Sequence, residues 1–292
     1  MTAFSIVVVL HDSAGPLPAL LASLRRLPEA PQLVVVDAAS SDDGPALARA
    51  AGAEVVELGE NPGFGAANNA GVERARHRVT VLLNPDCELL DGSLARLAAR
   101  AGDGRLWVPR LLDPDGSVQR SAHPLPGTVG ALLPALVRPR ALPRAVRERA
   151  EPYRAERPRS VGWAIAACVA ARTATLRRLG PFDARQFLFF EDMDLCLRAR
   201  AAGVPTVLDP SVRIRHLGGH ATRRAYDGEP HELLARRRHE VVAANLGARA
   251  AALDDLAQAL TFATRAAARR MLGRDADRER AQLAALLRSR AQ

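Results

Sequence analysis

The sequence predicts an α/β domain built on a mostly parallel, Rossmann-like sheet, with a helical extension at its C-terminal end. Two patterns support this fold class. Short apolar runs rich in valine, isoleucine and leucine alternate with segments that carry apolar residues at helical spacing. Such alternation favours a parallel sheet flanked by helices on both faces. The chain has 292 residues, which is ample for a buried core of this kind.

The elements of the first hundred residues follow this alternation. The β-branched apolar runs predict strands at residues 4–10, 32–36, 54–58 and 79–83. Leucine or alanine periodicity, with glycine or proline at the turns, predicts helices at residues 17–27, 45–51 and 66–75. Regular patterning returns from residue 161 to about residue 216. Ligands of such a sheet bind at the carboxyl ends of its strands.

The domain prediction places residues 1–225 in one α/β domain, with halves at 1–100 and 101–225. Residues 124–159 are rich in proline and arginine, and we interpret them as a loop or lid of the second half. They contain eight arginines and three glutamates, a local charge of +5. Residues 226–292 are rich in alanine, arginine and leucine and predict a basic helical extension.

The net charge of the chain is +9, and all 41 basic residues are arginine. Arginine binds phosphate bidentately, so nucleotide diphosphates and an anionic membrane surface are candidate partners. A GC-rich genome would explain the choice of arginine over lysine, but not the excess of positive charge. Nucleic acid is disfavoured, because aromatic residues are only 4% of the chain and no nucleic-acid-binding motif is present.

Cysteine usage and hydropathy predict the compartment. The three cysteines are widely spaced and form no CxxC motif, which is typical of reduced thiols. No apolar run is long enough for a membrane span, and we recognise no signal peptide. We therefore expect a cytoplasmic protein, in peripheral contact with the inner face of the plasma membrane if it contacts a membrane at all.

Acidic residues follow two of the predicted strands. Asp37 ends the second strand, and Asp86 follows the fourth, within Asn84-Pro85-Asp86. Both lie at the ligand edge of a parallel sheet, where a carboxylate can bind a ribose or a metal ion. A turn or helix N-cap role is the alternative for either residue alone. His216, after a later strand, either completes a metal site with Asp86 or is structural.

A second acidic cluster, residues 191–194, begins a predicted helix directly after two phenylalanines. Acids in a first helical turn suit the helix dipole, which is the structural explanation. Asp192 is also a candidate general base, because adjacent aromatic rings desolvate its carboxylate. Residues 61–65 form a turn of glycine and proline before the predicted helix at residues 66–75. This turn departs from the dinucleotide-binding pattern, but it can bring a helix N-terminus close to a ligand.

Taken together, these motifs resemble the inverting glycosyltransferases of family 2, which have a GT-A fold, and most of all the bacterial rhamnosyltransferase branch. The matching segments are SIVVVLHDS, VVVDAASSD, NPGFGAANNAG, LLNPDCELLDGSL, PRLLDPDGSVQRS, VGWAIAACVAAR, LRRLGPFDARQFLFFEDMDLCLRARAAG and VRIRHLGG. The resemblance implies transfer of a sugar, with L-rhamnose from dTDP-rhamnose as the best match. The implied acceptor is polyprenyl-diphosphate-linked or a glycan, in cell-wall or surface polysaccharide synthesis. The implied cofactor is a divalent cation, Mg²⁺ or Mn²⁺.

The resemblance also implies roles for individual residues. Asp192 is the implied catalytic base, and Asp86 and His216 are the implied metal ligands. The implied nucleotide- and donor-binding residues are Val9, His11, Asp37, Gly63, Asn69, Asn84, Asp86 and Arg198. The implied lining of the sugar and acceptor pocket is Trp163, Arg172 and Glu191. Residues 1–100 then form the nucleotide-binding half of the domain, and residues 101–225 form the acceptor half.

Three departures from the family pattern leave alternatives open. His11-Asp12 replaces the usual Tyr-Asn after the first strand, Asn84 replaces the first acid of the DxD motif, and Ala166 replaces a glycine. One alternative is the same enzyme with a UDP-sugar donor. The other is a catalytically silent module of the same fold that binds a partner or a glycan. The sequence does not specify the linkage, the preferred metal or the oligomeric state.

Overall fold

A nine-stranded sheet forms the centre of the larger of two compact units. The computed structural model describes residues 3–137, 142–183, 189–218 and 229–291. The first unit comprises Met1–Ala122 with Tyr153–Ala225, and the second comprises His123–Pro152 with Tyr226–Gln292.

The strands of the first unit match the predicted alternation closely. In chain order, the strands are β1 (Ser5–Leu10), β2 (Gln32–Asp37), β3 (Glu54–Glu57), β4 (Val79–Leu83), β5 (Cys87–Leu89), β6 (Leu106–Leu112), β7 (Ala122–His123), β8 (Arg159–Val161), β9 (Trp163–Ala164), β10 (Cys168–Arg172) and β11 (Thr206–His216). The large sheet has the order β3-β2-β1-β4-β10-β6-β11-β5, and β8 pairs with β11. The short strands β7 and β9 lie outside it.

The sheet is parallel on its N-terminal side and mixed beyond β4. Val7 of β1 pairs in parallel register with Val34 of β2 and with Leu82 of β4. Strand β10 then runs antiparallel between β4 and β6. Strand β11 is parallel to β6 and antiparallel to β5 and β8. The predicted parallel arrangement therefore holds for β1–β4, and β10 reverses the direction of the sheet beside them.

The helices account for the rest of the regular structure. In chain order, they are α1 (Leu17–Leu24), α2 (Gly44–Ala50), α3 (Phe64–Arg74), α4 (Leu94–Ala101), α5 (Val129–Leu136), α6 (Arg144–Ala150), α7 (Thr173–Leu179), α8 (Glu191–Ala201), α9 (His231–Leu246), α10 (Ala248–Met271) and α11 (Asp277–Ala291). Of the helices in the described part of the chain, none combines the length and the apolar character that crossing a membrane requires.

Strand β1 shows why helices cover both faces of the sheet. Alternate side chains of a strand point to opposite faces. Ile6 and Val8 pack in a core cluster with apolar residues of α1 and α4. Val7 and Val9 pack in a second cluster, with residues of α3, α7 and α8. A run of consecutive valines is therefore buried on both sides, as its unbroken apolar character predicts.

The second unit is a small helical assembly in which α10 packs against α5, α9 and α11. Thr264 of α10 donates a hydrogen bond to the carbonyl oxygen of Ala135 in α5 at 2.9 Å. Arg238 of α9 forms a two-bond ion pair with the buried carboxylate of Asp254 in α10, at 2.7 and 2.9 Å. The predicted C-terminal helical segment is therefore present.

Residues 123–152 group with these helices, which differs from the predicted assignment of residues 124–159 to a loop of the α/β domain. That prediction also overlooked α5 and α6. Pro134 interrupts the helical pattern of α5 in the sequence. The contact between α5 and α10 joins Ala135 to Thr264, which lie 129 positions apart in the chain. Part of this segment, residues 138–141, and the predicted boundary between residues 225 and 226 lie outside the described residues.

Candidate active site

The carboxyl ends of β1, β2, β4 and β11 meet at one edge of the sheet. Leu10, the last residue of β1, pairs with Asp37, the last residue of β2. Asp86 lies in the turn between β4 and β5, and His216 at the end of β11 pairs with Cys87 of β5. The strand-end residues Asp37, Asp86 and His216 therefore share the edge at which ligands of such sheets bind.

The turn after β2 holds the first of these residues. Asp37 is 6% exposed, and its carboxylate oxygens accept hydrogen bonds from the backbone N–H of Ser40 at 3.2 and 3.4 Å. His11 follows β1, and its Nδ1 lies 2.8 Å from the carbonyl oxygen of Ala38. The loops after β1 and β2 are thus joined by His11. Val9, another residue implied at the donor, is buried in the core.

Asp86 and His216 form a direct pair at the end of β4 and β11. His216 Nε2 lies 3.3 Å from Asp86 Oδ1, and Asp86 Oδ2 accepts a hydrogen bond from the N–H of Gly218 at 3.0 Å. His216 Nδ1 lies 2.9 Å from Oε1 of Gln119. Both members of the pair are buried. Asn84, two residues before Asp86, is anchored by a hydrogen bond from its N–H to Ala167 O at 2.9 Å.

The electrostatics of this pair favour an ionised carboxylate. Burial raises the pKa of the Asp86 carboxyl, but the hydrogen bond and charge of His216, with the N–H of Gly218, outweigh burial and hold the pKa below its usual range. Cys87 Sγ lies with these ligand atoms, all within 4.8 Å of one another. Burial, together with the charge of Asp86, raises the pKa of the Cys87 thiol well above its usual range. The pair that fits a divalent cation is thus a carboxylate oxygen and an imidazole nitrogen.

Glu191 and Asp192 begin α8, directly after Phe190, whose ring contacts Trp163. The rings of Trp163 and Phe190 pack edge to face, with centroids 6.3 Å apart. Glu191 is 8% exposed, and burial, followed by the charge of Asp192, raises the pKa of its carboxyl to about 8. Asp192 is less buried, and its Oδ1 accepts a hydrogen bond from the N–H of Met193 at 2.7 Å. Two adjacent carboxyl groups therefore stand in different environments.

The chain enters α8 through a strained turn. Phe189 and Phe190 have φ values of 74° and 62°, in the left-handed region that bulky side chains rarely adopt. Such conformations cost about 1–3 kcal/mol each and persist where surrounding contacts enforce them. Here they bring the first turn of α8 beside Trp163.

The glycine-rich turn before α3 has the predicted tight geometry, and Asn69 of that helix contacts the segment before α8. Gly63 has a φ of 92° and precedes the first residue of α3. Asn69 Nδ2 donates to the carbonyl oxygen of Phe182 at 2.8 Å, and the N–H of Phe182 donates back to Asn69 Oδ1 at 3.0 Å. Asn69 therefore holds the backbone of the segment before α8, and its role near the donor stays a prediction.

Arg198 is engaged in a similar way. Its guanidinium donates to the carboxylate of Asp194 at 2.7 Å and to the carbonyl oxygens of Leu179 and Pro181 at 2.6 and 3.0 Å. These bonds involve all three guanidinium nitrogen atoms, so Arg198 stabilises the turn after α7. Its predicted part in donor binding stays a prediction.

The prediction of Arg172 as a pocket residue is wrong. Strand β10 runs antiparallel to β4, so Cys168 at its start pairs with Leu83 at the ligand edge, whereas Arg172 pairs with Val79 at the opposite edge. The Arg172 guanidinium donates to the carbonyl oxygen of Gly102 at 2.6 Å. The sequence pattern contained no information on the direction of β10.

Sequence reasoning missed two residues that contact the Asp86–His216 pair. Gln119 lies against His216, and Gly218 donates its N–H to Asp86. Gln119 belongs to PRLLDPDGSVQRS, one of the segments that carry the family resemblance, but the resemblance implied no role for it. Gly218 has a φ of 67°, which explains why glycine stands at the position that turns toward Asp86.

Known proteins are similar in sequence to this chain over most of its length. The chain is 33% identical over 248 residues to the N-acetylglucosaminyl-diphospho-decaprenol L-rhamnosyltransferase of Mycobacterium tuberculosis strain CDC 1551 / Oshkosh, covering 77% of this chain and 79% of the relative. The protein of the same description from strain ATCC 25618 / H37Rv gives the same values.

Solved structures share the fold at lower identity. The crystal structure of GalNAc-T7 with UDP, GalNAc and Mn²⁺ superposes with a TM-score of 0.59 at 18% identity, covering 83% of this chain and 48% of that chain. The Pyrobaculum calidifontis mannosyltransferase PcManGT, in complex with GDP-Man and Mn²⁺, gives a TM-score of 0.56 at 17% identity, covering 98% of this chain and 85% of that chain. The structure of S. aureus TarS 1-349 in complex with UDP-GlcNAc gives a TM-score of 0.58 at 16% identity, covering 89% of this chain and 73% of that chain.

These superpositions confirm the predicted α/β GT-A fold, and the sequence comparison establishes the family. The family described as Glycosyl transferase family 2 matches residues 5–179, a span that runs from β1 through α7. This span contains the strand-end residues Asp37 and Asp86. The chain therefore belongs to glycosyl transferase family 2 and is a glycosyltransferase.

Proposed function

We propose that this glycosyltransferase moves L-rhamnose from dTDP-rhamnose to a polyprenyl-diphosphate-linked N-acetylglucosamine, with inversion at the anomeric carbon. The observation that carries the proposal is the 33% identity to the mycobacterial L-rhamnosyltransferase, which extends over 77% of this chain and 79% of that protein. The acceptor follows from the name of that relative, N-acetylglucosaminyl-diphospho-decaprenol L-rhamnosyltransferase. The product would be an intermediate of cell-wall or surface polysaccharide synthesis.

In the proposed reaction, Asp192 is the general base. Its carboxylate takes the proton of the acceptor hydroxyl while that oxygen attacks the anomeric carbon and the bond to the nucleoside diphosphate breaks. One displacement inverts the configuration, so no covalent enzyme intermediate is required. The position of Asp192 in the first turn of α8 supports this role, as does the ring of Phe190, two residues before it, which packs against Trp163. Trp163 and Glu191 would line the sugar and acceptor pocket.

The donor nucleotide would bind along the strand ends at Asp37, His11 and Asn84. Asp86 and His216 would hold a divalent cation, Mg²⁺ or Mn²⁺, because an ionised carboxylate and an imidazole nitrogen face each other there. Such a cation supplies charge neutralisation for the departing diphosphate. The N–H of Gly218 holds the Asp86 carboxylate in this arrangement.

A donor screen by thermal shift tests the assignment of the sugar nucleotide. A ligand that binds the native state raises the melting temperature. We expect dTDP-rhamnose with Mn²⁺ or Mg²⁺ to raise it more than UDP-glucose, UDP-galactose, UDP-GlcNAc or GDP-mannose do. A larger shift with a UDP-sugar would favour the alternative donor. No shift with any donor, from folded protein, would favour a catalytically silent binding module.

We also propose that the enzyme is cytoplasmic and binds peripherally to the anionic inner face of the plasma membrane. Twelve arginines against eight acidic residues after Asp227 support electrostatic binding, at about 1 kcal/mol for each cation near such a surface. In the second unit, Met271 and Leu272 at the end of α10 are 88% and 60% exposed. Flotation with phosphatidylglycerol vesicles should show binding that high salt removes. Flotation that salt does not change would contradict the electrostatic part of this proposal.

A further inference from the structure

Gln119 has no assigned role, yet it contacts a residue of the proposed metal site. It ends a tight turn after β6, in which the N–H of Asp113 donates to Ser117 O at 2.8 Å and the N–H of Gln119 donates to Leu111 O at 3.0 Å. Gly116 adopts a φ of 82° within this turn. The turn thereby brings the Gln119 side chain to the end of β11, where His216 lies.

The hydrogen bonds of Gln119 fix the orientation of its amide group. The Asp113 carboxylate accepts hydrogen bonds, and its Oδ1 lies 2.8 Å from Gln119 Nε2. The other amide atom, Oε1, then lies 2.9 Å from His216 Nδ1. An amide oxygen only accepts, so the proton of this hydrogen bond is on His216 Nδ1. Gln119 therefore determines which nitrogen of His216 faces Asp86.

The remaining nitrogen of His216 points to the carboxylate. Nε2 lies 3.3 Å from Asp86 Oδ1, and Asp86 Oδ2 is held by the N–H of Gly218 at 3.0 Å. With Nδ1 bonded to Gln119, Nε2 is the nitrogen that faces the carboxylate. It can donate a proton to Asp86 Oδ1, or give up that proton and bind a cation together with this oxygen. A histidine ligand usually donates its other N–H to a fixed acceptor, which sets its tautomer and ring orientation.

We propose that Asp113 and Gln119 form a relay that selects the tautomer and the orientation of His216 for cation binding. Asp113 orients Gln119, Gln119 orients His216, and His216 meets the cation together with Asp86. Gln119 is thus a positioning residue and contacts neither substrate nor cation. The inference rests on the proposed function, because it requires a cation at Asp86 and His216.

The test is a titration with Mn²⁺ at a saturating concentration of dTDP. The electron paramagnetic resonance signal of the free ion measures how much Mn²⁺ remains unbound. Asp86→Ala removes the carboxylate ligand and defines the background. We expect Gln119→Leu to bind Mn²⁺ about 10–100-fold more weakly than the wild type, the usual loss when such an outer residue is removed. Its melting temperature without ligand should stay close to that of the wild type. If Gln119→Leu does not fold, Gln119→Asn, one methylene too short to reach both partners, takes its place with the same expectation.

Two further variants separate the relay from a general effect on the turn. Asp115 lies in the same turn, and its carboxylate accepts a hydrogen bond from the N–H of Ser117 at 2.9 Å. The variant Asp115→Asn changes this turn without touching Gln119 and should bind Mn²⁺ like the wild type. The double variant Asp113→Asn/Gln119→Glu exchanges donor and acceptor between the two positions and still offers an oxygen to His216 Nδ1. It should recover most of the affinity that Gln119→Leu loses.

The outcomes distinguish the relay from the proposed function. Wild-type binding that Gln119→Leu and Gln119→Asn retain in full would overturn the relay and leave the metal site standing. A double variant as weak as Gln119→Leu would also overturn it. Wild-type protein that binds Mn²⁺ no better than Asp86→Ala would contradict the metal site itself, and the relay with it.

Discussion

Glu191 and Asp192 are adjacent in sequence, but their carboxyl groups differ in burial. Glu191 is 8% exposed, and within the described residues its Oε2 has no hydrogen-bond partner. Asp192 is only partly buried and accepts a hydrogen bond from the N–H of Met193. Two carboxyl groups in such different environments take different roles in a reaction. We infer that Glu191 keeps its proton at neutral pH and that Asp192 is the carboxylate that accepts one.

Replacement of Asp192 by asparagine tests its role as the base. We expect Asp192→Asn to lower kcat by about 10²–10⁴-fold, the usual contribution of a general base, with little change in dTDP binding or melting temperature. Asp277→Asn makes the same change at a side chain that is 85% exposed in the second unit and should leave kcat unchanged. Near-full turnover by Asp192→Asn would show that another group takes the proton.

Glu191 gives the stability of the protein a defined dependence on pH. Burial raises the pKa of the Glu191 carboxyl to about 8 in the folded protein, whereas an unfolded chain releases this proton near its ordinary pKa of about 4.3. Between these values the folded state binds more protons than the unfolded state. The contribution of Glu191 to the free energy of unfolding is therefore fully present below about pH 4 and is lost as the pH rises through about 8.

Glu191→Gln removes this titrating group. We expect the unfolding free energy of the wild type, relative to the variant, to fall by up to about 1.4 kcal/mol per pH unit within that window. Urea unfolding of both proteins at about pH 5, 6.5 and 8 measures the difference. Parallel profiles for the two proteins would mean that Glu191 has an ordinary pKa in the folded state.

At the scale of elements, close packing of α3 on β1 and β2 sets the position of the glycine-rich turn. A Cβ atom on Gly71 of α3 would lie 2.3 Å from Val7 Cγ1 and 3.0 Å from Val36 Cγ2. Both valines are fully buried, so neither side chain has free space to move into. The absence of a side chain at Gly71 therefore allows α3 to approach the sheet, and Gly63 begins that helix at the ligand edge.

A single methyl group at this position should be destabilising. We expect Gly71→Ala to lower the free energy of unfolding by about 1–3 kcal/mol, as overpacking of a core does, despite the better helix propensity of alanine. Gly15→Ala is the matched control, because a Cβ there has no neighbour within 4 Å. Chemical denaturation of both variants measures the change. Equal stabilities of Gly71→Ala and the wild type would show that α3 can shift away from the sheet.

The elements that sequence predicted well are those with local patterns. The valine runs of β1 and β2 identified buried strands, and the parallel order of β1–β4 brought Asp37 and Asp86 to one edge. Arg172 was misplaced because the antiparallel direction of β10 depends on pairing with β4 and β6, which no local pattern encodes. The contacts of Arg198 and Asn69 are also absent from any local pattern, since their partners lie at Leu179, Pro181 and Phe182.

At the scale of the whole molecule, the chain joins a catalytic α/β unit to a basic helical unit. The order of motifs along the sequence was sufficient to identify the family, which the match over residues 5–179 establishes. The membership of residues 123–152 in the second unit was not predictable in the same way. Their helix α5 packs against α10, and this packing joins residues 129 positions apart, such as Ala135 and Thr264.

Transfer of rhamnose to a lipid-linked acceptor can be tested by analysis of the reaction product. The protein is incubated with dTDP-rhamnose, a short-chain polyprenyl-diphospho-N-acetylglucosamine and Mg²⁺ or Mn²⁺, and the lipid is analysed by mass spectrometry. We expect a product heavier by one deoxyhexose unit, formed by the wild type, lost on chelation of the cation and lost in Asp192→Asn. Failure to form this product, or a product formed only from a UDP-sugar, would contradict the assignment of L-rhamnose as the sugar transferred.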